Sequence, residues 1–137
     1  HHSTLENVDI IAIHDAVRPF ASLSLWKRVL DGAAHHGSAI PTLPVTDTVK
    51  VVDADKHVVS TLDRSFLRRV QTPQCFRREI IVAAYQHGAT VKAMSTDCSA
   101  LCEEIGFPVY TVEGEEGNIK ITTPFDMTVA EVFLARN

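Results

Sequence analysis

The sequence lacks the short motifs that identify several large enzyme classes. It contains no glycine-rich phosphate loop of the form G-x-x-x-x-G-K-[ST] or G-x-G-x-x-G. It also contains no G-x-S-x-G nucleophile elbow, no H-E-x-x-H and no C-x-x-C. The chain therefore has no glycine-rich phosphate cradle of its own, and its seven histidines give no support to a zinc site.

Cysteine is scarce, and long apolar runs are absent. Cys75, Cys98 and Cys102 are an odd number without regular spacing, which argues against a disulfide framework and fits a reducing cytoplasm. We interpret Cys98 and Cys102 as small buried hydrophobic residues rather than as metal or redox ligands. No apolar run approaches the ~20 residues of a membrane span, and residues 1–9 show no signal-peptide pattern. These features predict a cytoplasmic protein without a membrane segment.

Basic residues are also in deficit. The 13 Lys and Arg residues stand against 17 Asp and Glu residues, for a net charge of −4. This balance argues against a general nucleic-acid or membrane-surface binder, so substrate phosphates would need a local basic site. A chain of 137 residues with 45% hydrophobic residues fits one domain with a sizeable core. Because the first residue is not Met, it stays open whether His1 and His2 are a tag remnant or native sequence inside a longer protein.

Four segments carry helical patterns, and each has a capping or stopping residue nearby. The predicted helices cover residues 25–36, 77–88, 98–106 and 124–136. The expected caps and stops are Ser22 or Ser24 with Gly37 for the first, Gly88 for the second, Thr96 or Asp97 with Gly106 for the third, and Pro124 for the fourth.

The extended segments predict a layered α/β fold with a mainly parallel sheet, because strands alternate with helices. A hairpin is expected around residues 54–56, and its modest apolar content indicates an arm that projects and needs a partner surface. We therefore predict one domain over residues 1–137 with an arm over residues 46–72. The expected strands are 8–13, 38–45, 49–53, 57–62, 90–94, 107–114 and 118–122.

Asp15 and Arg18 follow the first strand, at the strand end where ligands bind in open α/β sheets. An Asp there can hold Mg²⁺ together with waters and substrate phosphates, and an Arg can grip a phosphate with its planar fork of donors. The alternative is an Asp that caps the turn and an Arg that is paired to it. Neither interpretation is favoured by these two residues alone.

Further basic residues are candidates for an anion site. Lys120 stands between two isoleucines in a predicted strand, so its side chain points to the opposite face from theirs. On that face it contacts either solvent or a bound phosphate. Thr72 and Gln74 place a hydroxyl and an amide in a turn, where they are useful to a ligand but also common without one. The one concentrated basic stretch of this acidic chain contains Arg64, Arg68, Arg69, Arg77 and Arg78, for most of which a solvated surface is the simpler interpretation. Residue patterns alone thus lead to an α/β domain with a site for a phosphorylated small molecule.

Seven blocks of the sequence occur together in one known family. HDAVRPF, PVTDTVK, TLDR, QTPQCF, STD, VEGEEGNIKIT and TPFDMTVAE stand in this order and at compatible spacings. The chain in this respect resembles the 2-C-methyl-D-erythritol 4-phosphate cytidylyltransferases, which join CTP to methylerythritol phosphate in non-mevalonate isoprenoid biosynthesis. The resemblance implies a Rossmann-like nucleotidyltransferase sheet with a projecting β-hairpin arm, and a homodimer joined through that arm. It also implies a Mg²⁺-dependent attack of the substrate phosphate oxygen on the α-phosphorus of CTP, with loss of pyrophosphate.

The resemblance implies roles for seven residues. Asp15 matches the acid near the metal and the CTP phosphates, and Lys120 matches the lysine that stabilises the charge of phosphoryl transfer. Arg64 matches the arginine that holds the substrate phosphate from the arm of the partner subunit. The remaining matches are substrate contacts: Arg18, Thr48, Thr72 and Thr96.

Two departures from the family pattern accompany the resemblance. The family usually continues the block TD with a second acid and Ala-Ser, whereas this chain reads TDCSALCEE. The family also opens with a first half whose glycine-rich loop binds CTP, and nothing in this chain matches it. The chain therefore corresponds to the C-terminal portion, and we predict little or no activity for these 137 residues alone.

Two alternatives remain. Ribitol-5-phosphate cytidylyltransferase, a sister enzyme, resembles the chain in HDAVRPF and QTPQ, but PVTDTVK and TLDR favour methylerythritol phosphate. An alternative of another class is a non-catalytic domain that only dimerises through its hairpin. The two classes differ in what they predict for Asp15 and Lys120, whose loss would be harmless in the second.

Overall fold

The structure, a computed structural model, describes residues 9–91 and 97–136. Within these ranges it contains seven strands, four α-helices and one 3₁₀ turn, over Arg64–Phe66. The elements in chain order are β1 (Ile10–Ile13), α1 (Leu23–His36), β2 (Ser38–Pro44), β3 (Lys50–Val52), β4 (Val58–Thr61), β5 (Arg68–Val70), β6 (Gln74–Arg77), α2 (Arg78–Val91), α3 (Cys98–Glu104), β7 (Tyr110–Glu113) and α4 (Pro124–Arg136).

The main sheet is mixed rather than mainly parallel, which corrects the expectation from the sequence. β6 lies between β1 and β2 and is antiparallel to both, and β5 pairs antiparallel with the other end of β2. Among the described strands, only β2 and β7 are parallel neighbours. The cause is β6, residues Gln74–Arg77, which enters the sheet as a returning strand between β1 and β2 and was not among the predicted strands.

Helices cover both faces of this sheet. Successive apolar residues of its central strands point to opposite faces, so each face has apolar side chains that a helix can bury. Phe76 and Ile40 pack with buried residues of α2 and α3, whereas the adjacent Cys75 and Ala39 pack with buried residues of α1. The helical members of these two clusters are Ile80, Ile81, Ala84 and Cys102 on the first face, and Leu25, Val29 and Ala33 on the second. The layered α/β prediction is confirmed.

The predicted ends of two helices are confirmed. The Ser22 hydroxyl caps α1 by accepting a hydrogen bond of 3.0 Å from the Leu25 amide, and Gly37 ends the helix in the left-handed region with φ of 93°. Asp97 caps α3 by accepting from the Ala100 amide at 2.9 Å.

Two other sequence predictions are wrong. Gly88 does not end α2, which runs on to Val91, so residues 90 and 91 are helical; the rest of the predicted strand 90–94 lies outside the described residues. Residues 118–122 form no strand, because their backbone amides donate hydrogen bonds to loop residues rather than to a neighbouring strand. The Asn118 amide donates to the Glu115 carbonyl, and the Ile121 amide donates to the Val17 carbonyl.

The predicted hairpin is confirmed, and β3 and β4 form a two-stranded sheet apart from the main one. All residues of both strands are exposed. The last part of residues 46–72 returns to the main sheet, since β5 pairs with β2. In the described part of the chain, no helix combines the length and apolar character needed to cross a lipid bilayer.

Candidate active site

A cavity of about 390 Å³ lies where β1 ends. Ile13, the last residue of β1, is the register partner of Gln74, the first residue of β6, so the loops after β1 and before β6 meet at this edge of the sheet. The Asp15 amide joins them by donating a hydrogen bond of 3.0 Å to Oγ1 of Thr72. Four of the predicted site residues line this cavity: Asp15, Arg18, Thr72 and Lys120.

One carboxylate stands between two cations in this cavity. Oδ2 of Asp15 lies 3.2 Å from Nε of Arg18 and 3.4 Å from Nζ of Lys120. Arg18 is held in place, because its side chain is only 12% exposed and its Nη1 donates to the Asn118 carbonyl at 2.7 Å. Lys120 is 49% exposed and remains accessible. Asp97 also lines the cavity, so its two acids balance its two cations, and an anionic ligand would be bound through the positions of Lys120 and Arg18 rather than through net charge.

The loop that carries Lys120 is fixed by a buried polar network. Asn118 is fully buried, and its side-chain amide donates to the Thr72 carbonyl at 2.8 Å. Gln71 donates to the Glu115 carbonyl at 2.8 Å and accepts from the Glu115 amide at 3.1 Å. Buried hydrogen bonds of this kind favour one local geometry, although Oδ1 of Asn118 is buried without a hydrogen-bond partner among the described residues. The network therefore places Lys120 against Asp15 although no regular element carries it.

A second polar cluster closes the cavity on the side of α3. The Gln74 side chain is almost fully buried, donates to Oδ2 of Asp97 at 2.8 Å and accepts from the Ser99 amide at 3.1 Å. Cys98 also lines the cavity at this point. Burial raises the pKa of two other thiols, Cys75 to about 12 and Cys102 to about 11, so both stay protonated and behave as apolar core groups.

A smaller recess of about 300 Å³ adjoins the first cavity and shares Arg18 and Lys120 with it. Arg69 also lines it, and this arginine is paired with Glu116 at 3.2 Å. An anionic group in either recess can therefore reach the same two cations, Arg18 and Lys120.

The arm residues lie elsewhere. Thr48 and Arg64 are exposed and do not belong to the lining of the main cavity. Arg64 donates from Nη1 to the carbonyl of Thr46 within its own arm. Thr96 lies outside the described residues, next to Asp97. Within this one chain, the structure thus brings together four of the seven predicted residues.

Sequence reasoning did not identify Gln71 and Asn118, and it gave Gln74 only as an amide in a turn rather than as a buried residue that builds the site. Gln71, Gln74 and Asn118 are buried and bridge segments far apart in the chain, with bonds to Glu115, Asp97 and Thr72. The blocks QTPQ and NIK contained them, but neither block indicated which amides would be buried. Local patterns could not show this, because each partner is more than twenty residues away.

The residues fit the usual way in which proteins hold Mg²⁺. The part of the chain that the structure describes contains no group of three or more His, Cys, Asp or Glu side chains placed to share a metal ion. Mg²⁺, however, is commonly bound by one or two carboxylates, with water and substrate phosphates as further ligands. Asp15, in a cavity whose cations attract phosphate, meets that requirement.

Comparison with known proteins connects this site to one family. The family model of 2-C-methyl-D-erythritol 4-phosphate cytidylyltransferase matches residues 3–136. The relative of this name from Syntrophus aciditrophicus (strain SB) is 45% identical over 132 residues, which are 96% of this chain and 56% of the relative. The one from Caldanaerobacter subterraneus subsp. tengcongensis is 41% identical over 131 residues, 96% of this chain and 58% of the relative. The chain thus spans about half the length of the curated relatives it matches.

Solved structures agree in fold. The crystal structure of 2-C-methyl-D-erythritol 4-phosphate cytidylyltransferase from Thermus thermophilus superposes with a TM-score of 0.85 at 36% identity, and the match covers 95% of this chain and 63% of that one. The 4-diphosphocytidyl-2C-methyl-D-erythritol synthase from Anaerococcus prevotii gives a TM-score of 0.86 at 35% identity, with 93% and 57% covered. The mixed sheet and its helices are therefore those of this group of nucleotidyltransferases.

Proposed function

Because the chain belongs to the 2-C-methyl-D-erythritol 4-phosphate cytidylyltransferase family, we propose that it supplies the C-terminal part of an enzyme that transfers CMP from CTP to 2-C-methyl-D-erythritol 4-phosphate. Pyrophosphate is the second product, and the reaction belongs to non-mevalonate isoprenoid biosynthesis. The observation that carries the proposal is the cavity in which Asp15 lies within 3.4 Å of both Arg18 and Lys120. Phosphoryl transfer depends mainly on alignment and charge neutralisation, which such a group provides.

The residues of this chain have distinct tasks in the proposal. Lys120, the more accessible cation, faces the α-phosphate and stabilises the negative charge that develops as the phosphate oxygen of the substrate attacks. Arg18 is only 12% exposed and is held by the Asn118 carbonyl, so it orients the substrate, whereas Lys120 responds to the charge that develops on the phosphate. Asp15 keeps both cations in position through its ion pairs.

Magnesium is part of the proposal. Asp15 would hold the ion, together with the CTP phosphates, and Mg²⁺ supplies neutralisation of phosphate charge when it is bound. Lys120, the more exposed cation, would then be free to turn from the carboxylate toward the substrates, while Arg18 stays bonded to the Asn118 carbonyl. Their present contacts with Asp15 keep both cations at the cavity before ligands arrive.

The arm completes the site in a homodimer. Thr48 and Arg64 lie on an exposed arm outside the main cavity of their own chain. We propose that the arm of a second copy reaches this cavity, where Arg64 binds the substrate phosphate and Thr48 and Thr96 contact the substrate. Because the two acids that line the cavity balance Arg18 and Lys120, an arginine from the arm would supply the further positive charge that a substrate phosphate needs.

The chain alone is proposed to be inactive, because it spans about half of its relatives and carries no glycine-rich loop to bind CTP. A cytoplasmic location is part of the same proposal and is supported by its three free cysteines. The net charge of −4 supports small-molecule substrates rather than nucleic acid or a membrane as partners.

The test is a pyrophosphate-release assay on the full-length protein that contains this chain, with CTP and either methylerythritol phosphate or ribitol 5-phosphate. We expect faster turnover of methylerythritol phosphate. Lys120→Met should lower kcat by about 10²–10³-fold, as removal of a charge-stabilising group usually does, and Asp15→Asn should also lower it strongly. Lys27→Met, at an exposed position of α1 that does not line the cavity, is the matched control and should leave kcat unchanged.

Two results would contradict the proposal. Faster turnover of ribitol 5-phosphate would identify the sister activity instead. Full activity of both Lys120→Met and Asp15→Asn, with the dimer retained, would favour a domain that only dimerises.

A further inference from the structure

His14 joins two segments of the proposed substrate site through both of its ring nitrogens. Nε2 lies 2.9 Å from the backbone carbonyl of Arg18, and Nδ1 lies 2.9 Å from Oγ1 of Thr72. An edge contact with Trp26, with 5.1 Å between ring centroids, holds the ring from the side. The imidazole is therefore fixed in orientation, and its two partners differ in what they can offer.

The partners of His14 determine which nitrogen carries the proton. A carbonyl oxygen can only accept a hydrogen bond, so Nε2 must carry the hydrogen that is donated to Arg18. In the neutral ring Nδ1 is then a bare acceptor, and the Thr72 hydroxyl must donate to it. The opposite tautomer would place two lone pairs against each other at 2.9 Å between Nε2 and the carbonyl.

This arrangement leaves the Thr72 hydroxyl with one unused hydrogen-bonding position, which is a lone pair. A hydroxyl has one hydrogen and two lone pairs. The hydrogen goes to His14, and one lone pair accepts the Asp15 amide at 3.0 Å. The remaining lone pair can only accept, which excludes a phosphate oxygen as its partner because that oxygen has no hydrogen to give.

We propose that Thr72 binds a hydroxyl group of the polyol substrate as a hydrogen-bond acceptor, and that His14 is the positioning residue that imposes this polarity. The inference rests on the proposed function and assigns a task within that site. It divides the recognition of the substrate between two sets of groups. Arg64 from the arm of the second copy binds the substrate phosphate, and Thr72 binds a hydroxyl.

The first test measures the tautomer directly on this chain. Histidine labelled with ¹⁵N reports by NMR which ring nitrogen is protonated, and loss of a signal in His14→Phe assigns the residue. We expect the Nε2–H form for His14, with the Nδ1 signal altered in Thr72→Val and preserved in Thr72→Ser. A predominant Nδ1–H form, or a doubly protonated ring, would overturn the proposal whether or not the enzyme turns over, because in both forms Nδ1 donates to Thr72.

The second test is kinetic and uses the full-length protein. Thr72→Val should raise KM for methylerythritol phosphate roughly fivefold to tenfold, as expected for one hydrogen bond, while KM for CTP changes little. Thr72→Ser should stay within about twofold of the wild type, because it keeps the hydroxyl. His14→Phe keeps the ring beside Trp26 and should act in the same direction as Thr72→Val.

A double-mutant cycle separates this role from general support of the fold. If His14 acts through Thr72, the double variant should be no worse than Thr72→Val alone. Fully additive losses would overturn the proposal. Deoxy analogues of methylerythritol phosphate, each lacking one hydroxyl, give a further test. If each analogue loses the same affinity with the wild type as with Thr72→Val, Thr72 binds none of these hydroxyls and the proposal is overturned. No turnover by the wild-type enzyme would count against the proposed function instead.

Discussion

At the scale of single residues, the site depends on how one carboxylate is shared. Asp15 contacts Arg18 and Lys120 through the same oxygen, Oδ2. Its backbone amide is also engaged, with Thr72. A substitution here therefore changes several contacts at once, so the effects of Asp15 and Lys120 variants should not add.

Cys98 is the residue at which this chain departs from the usual family block, and it lines the cavity. Cys75 and Cys102 are fully buried, and their raised pKa values keep them protonated. We therefore expect N-ethylmaleimide to add once to the native chain at neutral pH, at Cys98. Intact mass and peptide mapping measure the number and the position of the adducts.

The matched samples define the outcome for the thiols. The unfolded chain should accept three adducts, one for each cysteine of the sequence, and native Cys98→Ser should accept none. Rapid native addition at Cys102 would contradict the burial of that thiol.

Sequence patterns could identify the residues whose role follows from their own side chain and their neighbours in sequence, without knowledge of tertiary contacts. Asp15 and Arg18 follow a recognisable strand, and Lys120 belongs to a family block. Asn118 could not be identified in this way, because its importance comes from burial and from a bond to the Thr72 carbonyl, 46 positions away in sequence. Polar core residues become visible only when tertiary partners are known.

At the scale of elements, sequence patterns predicted helix ends correctly where a contact within the same helix determines the end. The ends of α1 depend on Ser22 and Gly37, both within one turn of the helix, and were predicted. Gly88 failed as a stop because glycine permits a left-handed end without requiring one, and it does not adopt positive φ here. β6 was missed because its place between β1 and β2 is a long-range property of the sheet.

Gly37 and Gly106 form a matched pair for a stability prediction. Both adopt positive φ, 93° and 76°. A Cβ at position 37 would lie 2.8 Å from the Phe107 ring and 2.9 Å from Ile80, whereas a Cβ at position 106 would meet nothing within 4 Å. Gly106→Ala should therefore cost only the left-handed backbone, about 1–2 kcal/mol.

Gly37→Ala should cost more, because overpacking adds roughly 1–3 kcal/mol to the backbone term. Urea unfolding of both variants and the wild type measures the difference. Equal losses for the two variants would show that the neighbours of Gly37, Phe107 and Ile80, move aside without cost.

At the scale of the whole molecule, two surfaces of the described residues each expose several large apolar side chains. One is the arm, where Val52, Val58 and Val59 are exposed and Phe66 is 84% exposed. The other is α4, whose exposed apolar residues include Phe125, at 75%. An isolated two-stranded hairpin is marginally stable in water, so the arm has the stronger need of a partner.

The arm therefore carries the final prediction, that this chain dimerises through it. Phe66→Glu should convert the dimer to monomer, measured by sedimentation equilibrium, with the circular dichroism spectrum unchanged. Leu23→Glu is the matched control, because Leu23 is 89% exposed on α1, outside the arm, and it should leave the dimer intact. If Phe125→Glu dissociates the dimer and Phe66→Glu does not, the interface is α4 and the cross-subunit role of Arg64 fails with it. A dimer lost only with Phe66→Glu would instead support delivery of Arg64 to the partner's cavity, because the same arm bears both residues.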